Sequence, residues 1–328
     1  MNHSVLVVSG AHVERVMDVK AAMPIVERVF RWYQMGRAQM PSKVYVVLPR
    51  YHGDFRAMPA SVSDKAVGLK WVSVYPRNRR LRLPTVLATV ILNDVKTGVP
   101  LSVMDGTYIT KIRTGAAGGV AARYLARRDS ASIGLLGCGV QAEVQLEALR
   151  LLFPIRRVLV WGPDARELEL FVRRQRAKGI VSVQSVSTVR QAVEEADILV
   201  TTTPSRRPLV RRRWLKLGVH INAIGADATG KQELDAEILL DAKVVVDDWE
   251  QASHSGEINV PVSRGLITHQ DIVATLGDVV AKKVRVRERA EDITVFDSTG
   301  LAVQDIAVAD EVYRRCRRCH LGYSVRLL

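Results

Sequence analysis

Six residues, Gly137-Cys138-Gly139-Val140-Gln141-Ala142, carry a G-x-G-x-x-A spacing between an apolar run and a helix-forming segment. Gly137 permits a tight turn, Gly139 lets the backbone approach a pyrophosphate, and Ala142 lets the helix pack closely on the strand before it. Val140, Gln141 and Ala142 open the helix, so its amino end faces phosphate. With a second strand about 20 residues on, the reading is a dinucleotide site. An acid at the end of that second strand bonds the ribose diol of NAD, and its absence makes room for the 2′-phosphate of NADP. Gly162 holds that position. Asp164 serves the first reading and Arg166 the second, so NAD and NADP both stay open.

Charged residues elsewhere supply different chemistry. Lys70 lies in an apolar strand among Leu69, Trp71 and Val72. Burying an unpaired ammonium is costly, and a lysine buried among other cations gives up its proton readily. Asp227 follows Ile224-Gly225-Ala226 at the carboxyl end of a parallel strand, where open α/β sheets place their ligands. An acid there suits proton transfer, with a helix N-cap as the structural alternative. Ile224 and Gly225 belong to the same cofactor-facing strand end. Thr202 and Pro204 end another strand and line a cofactor cleft, while Ser298, Thr299 and Gly300 close its nicotinamide side; these hydroxyls serve equally as turn formers. Thr85 and Thr114 are candidates for contact with substrate or phosphate.

The elements that must position these groups divide by rhythm. A helix is expected over 18–36, where apolar residues recur at helical spacing, then strands over 43–48, 54–60, 66–74, 86–93 and 101–105, broken by Pro, Gly, Asn and Asp turns. Successive short strands imply an antiparallel or mixed sheet. A helix over 110–125 contains Gly115, Gly118 and Gly119, whose missing bulk permits close packing. From residue 132 the pattern becomes strand, helix, strand, with strands at 133–136, 158–161, 198–202, 220–224, 244–247 and 294–297 and helices at 143–153, 165–178 and 303–316. Such alternation builds a doubly wound parallel sheet. The fold class is therefore α/β: a Rossmann domain over 115–302 plus a smaller α+β domain from 1–114 and 303–328.

Composition fits an ordinary globular chain. Of its 328 residues 48% are hydrophobic, and no apolar run has the length of a transmembrane helix. The start, Met1-Asn2-His3-Ser4, lacks the apolar stretch of a signal peptide, so a cytoplasmic location and no membrane partner are expected. Three cysteines are too few for a disulfide framework. Cys316-x-x-Cys319-His320 has the haem-attachment spacing, but it ends a helix in a chain with no export signal and no second ligand pair, so neither haem nor another metal is expected. His220, inside an apolar strand, reads as structural. The net charge of +14 comes with Arg clusters at 77–82, 206–213 and 314–318 that lack interleaved aromatics, which argues for an anion-attracting surface and against nucleic acid.

Five further segments, in order, are Gly68-Leu69-Lys70-Trp71-Val72, Leu83-Pro84-Thr85-Val86, Ile112-Arg113-Thr114-Gly115-Ala116-Ala117, His220-Ile221-Asn222-Ala223-Ile224-Gly225-Ala226-Asp227 and Phe296-Asp297-Ser298-Thr299-Gly300-Leu301-Ala302. With them the whole chain resembles the ornithine cyclodeaminase and mu-crystallin family. Arg56-Ala57-Met58-Pro59-Ala60 and Thr201-Thr202-Thr203-Pro204-Ser205 are most similar to its archaeal alanine dehydrogenase branch. The resemblance implies a substrate-binding and dimerisation domain beside the Rossmann domain, and hence a homodimer. It implies hydride transfer between a small L-amino acid, alanine foremost, and nicotinamide, with an imine between amino acid and keto acid. Lys70 and Arg113 match positions that bind the substrate carboxylate, Arg113 with a bidentate guanidinium; Lys43 and Arg56 join the same pocket. Asp227 matches a catalytic acid that serves proton transfer or activation of water.

Other members of the resembled family do other things. Ornithine cyclodeamination needs room for a δ-ammonium, yet Arg56 stands where that branch has an acid, and a second cation is disfavoured by like charge. Cyclic ketimine reduction is a further alternative. A mu-crystallin-like binding role without turnover sits poorly with Lys70, Arg113 and Asp227 all being present.

Overall fold

A computed structural model describes residues 4–180 and 182–326; the reading of Met1 to His3 lies outside them. The chain divides into two compact units, Met1–Arg113 with Leu301–Leu328, and Thr114–Gly300. These limits differ by one or two residues from 1–114, 115–302 and 303–328.

In the first unit the strands are β1 (Ser4–Val8), β2 (Ala38–Gln39), β3 (Val44–Leu48), β4 (Gly53–Val62), β5 (Ala66–Val74), β6 (Val86–Asn93) and β7 (Pro100–Asp105). A C-terminal strand, Tyr323–Arg326, adds to the far side of β1, giving the order C-terminal strand, β1, β7, β6, β5, β4, β2, with β3 also on β4. Only β1 and β7 run parallel, so the sheet is mixed. One face is covered by helix Ala302–Arg318, which packs on β4, β5 and β6 and against helix Val19–Gln34. The latter starts where Asp18 accepts a hydrogen bond from the Ala21 amide at 2.7 Å, and it is closed by Gly36 at φ +68°. The other face is different: Val44, Val46, Trp71 and Leu87 are all exposed on it.

The second unit contains β8 (Ser132–Leu136), β9 (Arg157–Trp161), β10 (Val183–Ser185), β11 (Ile198–Thr201), β12 (His220–Ala223), β13 (Lys243–Val246), β14 (Ile272–Thr275) and β15 (Thr294–Asp297). They form one parallel sheet in the order β10, β9, β8, β11, β12, β15, β13, β14. The order reverses between β8 and β11, the topological switch point of a doubly wound sheet. Apolar residues alternate between two cores, Ile133, Leu135 and Val160 on one face and Leu136, Leu159 and Leu199 on the other. Burial on both faces explains the unbroken apolar runs.

The small-residue helix, Thr107–Leu125, is fitted to Gln145 of helix Val140–Arg150: a Cβ on Gly118 would stand 2.0 Å from Gln145 Oε1. Gln145 is fully buried, donates to the Thr114 carbonyl at 2.9 Å and accepts from Asn222 Nδ2 at 3.3 Å. His220 continues this buried chain, with Nε2 2.9 Å from Asn222 Oδ1 and Nδ1 3.0 Å from Thr294 Oγ1. Because Asn222 donates its amide hydrogens to the Gly118 carbonyl and to Gln145 Oε1, its oxygen is placed to accept from Nε2–H. Burial, followed by the charge of Arg287, pushes the His220 pKa down to about 3, which keeps the ring neutral and structural.

Candidate active site

In the first unit, three cations gather around one carboxylate. Lys70 on β5 is 1% exposed, and its Nζ lies 2.6 Å from Oδ2 of Asp305, itself wholly buried on helix Ala302–Arg318. Arg113 Nε donates to the other oxygen of Asp305 at 2.9 Å, and its NH1 reaches Gln304 Oε1 at 3.3 Å. Burial pushes the Lys70 pKa down to about 7; Asp305 opposes that shift, while Arg113 and then Lys43 add to it. Lys43, half-buried just before β3, is thus close enough to be felt by Lys70. One carboxylate facing the two buried cations Lys70 and Arg113 leaves an excess of positive charge, the condition for holding an anionic group.

Arg56 occupies the same sheet face. It stands opposite Val72 on the pair β4/β5, and Met58 stands opposite Lys70, so Arg56 and Lys70 point to one side, one diagonal apart. Arg56 is 5% exposed, donates from Nε to Asp54 at 2.7 Å and lies over the Tyr45 ring at 5.3 Å. Thr85, the other candidate in this unit, is half-buried in the turn before β6.

In the second unit the glycine loop takes its expected shape. Gly137 ends β8 at φ +106°, with its amide donating to Trp161 at 2.8 Å. A Cβ there would meet Thr202 Oγ1 at 2.5 Å, so only glycine fits. Gly139 caps helix Val140–Arg150 without a side chain, and space for its absent Cβ is open for 4 Å. Ala142 is fully buried beneath the helix. Gln141 directs a buried Oε1 that has no hydrogen-bond partner among the described residues. Open space above Gly139, unpaired first-turn amides and an orphaned acceptor fit a dinucleotide pyrophosphate and its ribose.

Several strand-end side chains are committed to the fold. Thr202 donates its hydroxyl to the Leu136 carbonyl at 3.0 Å, and Pro204 is exposed beyond it. Asp164 caps helix Ala165–Ala177 by accepting from the Glu167 amide at 3.0 Å, and Arg166 is exposed on its first turn. Thr299 donates its hydroxyl to Asp247 at 3.0 Å, and the Thr299 and Gly300 amides donate to the same buried carboxylate at 2.7 and 2.8 Å. Gly300 has φ +78°. Ser298 differs, because its buried hydroxyl has no partner among the described residues. Thr114 is buried near the start of the second unit, with its carbonyl held by Gln145.

Asp227 is not a helix cap. The backbone from Ile224 onward is irregular and the next helix begins only at Ala236, so that structural alternative is set aside. Its carboxylate, about one-third exposed, pairs instead with Lys231 four residues on. The loop that carries it is braced from behind by Glu233, which accepts from the Thr203 amide at 2.6 Å, the Thr203 hydroxyl at 2.7 Å and the Gly225 amide at 3.0 Å. Ile224 is itself fixed, its amide donating to Thr201 at 2.9 Å.

The ornithine cyclodeaminase/mu-crystallin family model matches residues 2–319. The chain belongs to that family. It is 51% identical over 327 residues to the alanine dehydrogenase of Archaeoglobus fulgidus, covering 98% of each. Among solved structures, an archaeal alanine dehydrogenase dimer with bound NAD has a TM-score of 0.95 and 49% identity, over 99% of this chain and 100% of that one. Delta(1)-pyrroline-2-carboxylate reductase of Thermococcus litoralis, in complex with NADH and L-proline, has a TM-score of 0.95 and 36% identity, over 98% and 100%. The α/β architecture with a parallel sheet is therefore the architecture of this family.

Sequence reading missed Asp305, Glu233 and Asp247. A signal for Asp305 exists: it interrupts the apolar face Val303, Ile306, Ala309 of a helix, where a carboxylate requires a buried cation. Glu233 and Asp247 lie in a loop and at a strand end, and nothing in their local pattern marks them.

Proposed function

We propose that the chain is an NAD(P)-dependent amino-acid dehydrogenase that interconverts L-alanine with pyruvate and ammonium through an imine. The observation that carries this reading is the buried cluster of Lys70 and Arg113 on the single carboxylate of Asp305. It has room in its charge balance for one substrate carboxylate. Arg56, with its guanidinium beside Asp54, adds a cation where a δ-ammonium would have to sit, which disfavours ornithine and favours a short uncharged side chain. The identity to an alanine dehydrogenase, at 51%, supports the same substrate.

A bound nicotinamide supplies or accepts the hydride. The protein's own groups do the rest. Arg113 and Lys70 grip the carboxylate and fix the α-carbon. Asp227 takes a proton from the water that adds to the imine carbon and returns it to the departing nitrogen; its pairing with Lys231 orients the carboxylate. Val140, Gln141 and Ala142 present the helix amino end to the pyrophosphate.

The working form is a homodimer joined through the first unit. Its exposed apolar sheet face, with Phe55 stacked on Trp71 at 5.2 Å, is the kind of surface that a second copy covers. The related archaeal structure is a dimer.

The test is absorbance at the reduced-nicotinamide band with pyruvate and ammonium, set against ornithine with oxidised cofactor. Oxidation of reduced cofactor with pyruvate and ammonium is expected. Cofactor binding without turnover of any amino or imino acid would overturn the enzyme reading.

A further inference from the structure

The glycine loop lies at the carboxyl ends of the parallel strands. At their amino ends, in the same unit, is a cavity of about 530 Å³ whose lining includes seven cations: Arg123, Arg127, Arg128, Lys282, Arg285, Arg287 and Arg289. That volume is in the range of small-ligand sites. Glu288 is the only acid among the lining residues, and it is engaged by Lys243 at 2.9 Å.

Two of the guanidiniums are built in. Arg287 donates from Nε to the Leu125 carbonyl at 2.6 Å, from NH1 to the Asp292 carbonyl at 2.6 Å and from NH2 to Thr294 Oγ1 at 3.1 Å. Arg127 is held by Asp197 at 2.8 Å. These anchors keep two like charges near each other: after burial, the charge of Arg127 is among the causes that lower the pKa of Arg287. Of the other five cations, Arg128, Lys282, Arg285 and Arg289 make no ion pair among the described residues. Lys282 also stands at φ +60°, a left-handed position after helix Leu276–Val280 that glycine or asparagine fills at less cost. The backbone is thus turned at a lysine on the cavity wall.

We propose that this cavity is a second anion site, separate from the dinucleotide loop, that binds a small oligophosphate group. Seven cations lined up against the single acid Glu288 exceed what one carboxylate or a single phosphate needs, and a di- or triphosphate chain offers several charges. The two fixed guanidiniums of Arg127 and Arg287 supply held charges, and the other lining cations add to them around the ligand.

Calorimetric titration of the full chain, with saturating reduced cofactor present to fill the glycine loop, tests this with inorganic tripolyphosphate and with ATP. One site per chain is expected, weakening steeply with added salt, and weakened at least tenfold by Arg128→Ala/Arg285→Ala and by Lys282→Glu with cofactor affinity unchanged. Equal affinity for the two ligands assigns recognition to the phosphate chain alone; tighter ATP adds contacts to the nucleoside. Absence of binding, loss of binding when cofactor is added, or equal affinity in the variants would overturn the proposal. So would a short DNA duplex that displaces triphosphate and binds more tightly through the same residues.

Discussion

Asp305 holds Lys70 through a 2.6 Å ion pair in which both side chains are sealed from solvent. The same carboxylate serves Arg113. Asp305→Asn keeps the shape and removes the charge, leaving two buried cations without their counter-ion. We expect a loss of about 3 kcal/mol or more in stability, read by urea denaturation. Lys70 should also titrate lower than in the parent enzyme, because the charge that opposes its shift is gone. An unchanged pH profile would show that Asp305 does not govern Lys70.

Lys70→Ala and Asp227→Ala should each cut turnover at least about a hundredfold while leaving reduced-cofactor binding, followed by fluorescence, nearly intact. Wild-type turnover in either variant would remove that residue from the site.

The pH dependence of kcat/KM for pyruvate tests Lys70 more finely. Its pKa is brought from 10.5 to about 7, so the ammonium that grips the carboxylate is lost as pH rises through 7 and kcat/KM should fall there. Lys70→Arg keeps its charge across this range and should lack the inflection. If the arginine variant bends at the same pH, another group is responsible.

Buried acids predict a stability slope of definite sign. Burial raises Glu233 from 4.5 to about 7, and burial followed by the charge of Glu233 raises Glu257 well above its usual value. Between pH 4.5 and 7 the folded chain holds protons that the unfolded chain has released, so these groups make stability fall as pH rises. Glu257 accepts from the Glu233 and Leu234 amides through Oε1, and its Oε2 has no partner among the described residues. Glu257→Gln preserves those contacts and deletes the ionisation. Its urea midpoint should exceed that of the parent at pH 8 and match it near pH 4. A variant equally shifted at both values would separate Glu257 from the slope.

Trp71→Glu puts a charge on the exposed apolar sheet face. Sedimentation should report monomers where the parent sediments as a dimer. A dimer of unchanged affinity would place the interface elsewhere.

Regular elements were legible wherever periodicity had room to repeat. The helix expected over 18–36 is Val19–Gln34 between the cap at Asp18 and Gly36, and β4 to β7 fall where alternation and turn residues put them. Short strands were not: β10 has one apolar residue in Val183-Gln184-Ser185, too little to show a period, and β14 becomes a strand only through its parallel partner β13. In the site, Lys70 was legible because an ammonium inside an apolar strand breaks the local rule. Its partner was not, since Asp305 lies 235 residues away and the pairing is a property of the fold. Asp164 and Thr299 show the reverse case, residues whose types suit a ligand but whose hydrogen bonds are spent on a cap and a turn.

The first unit is written in two pieces, with the whole second unit between them. During synthesis Arg113 therefore leaves the ribosome 192 residues before Asp305. At ordinary elongation rates that is a delay of roughly 10 to 40 s. Throughout that interval Lys70 and Arg113 have no counter-ion and must stay hydrated, so the sheet carrying Lys70 cannot close over its core until the last helix arrives. A nascent chain stalled before residue 301 would hold a finished parallel sheet and an open, cationic half-domain.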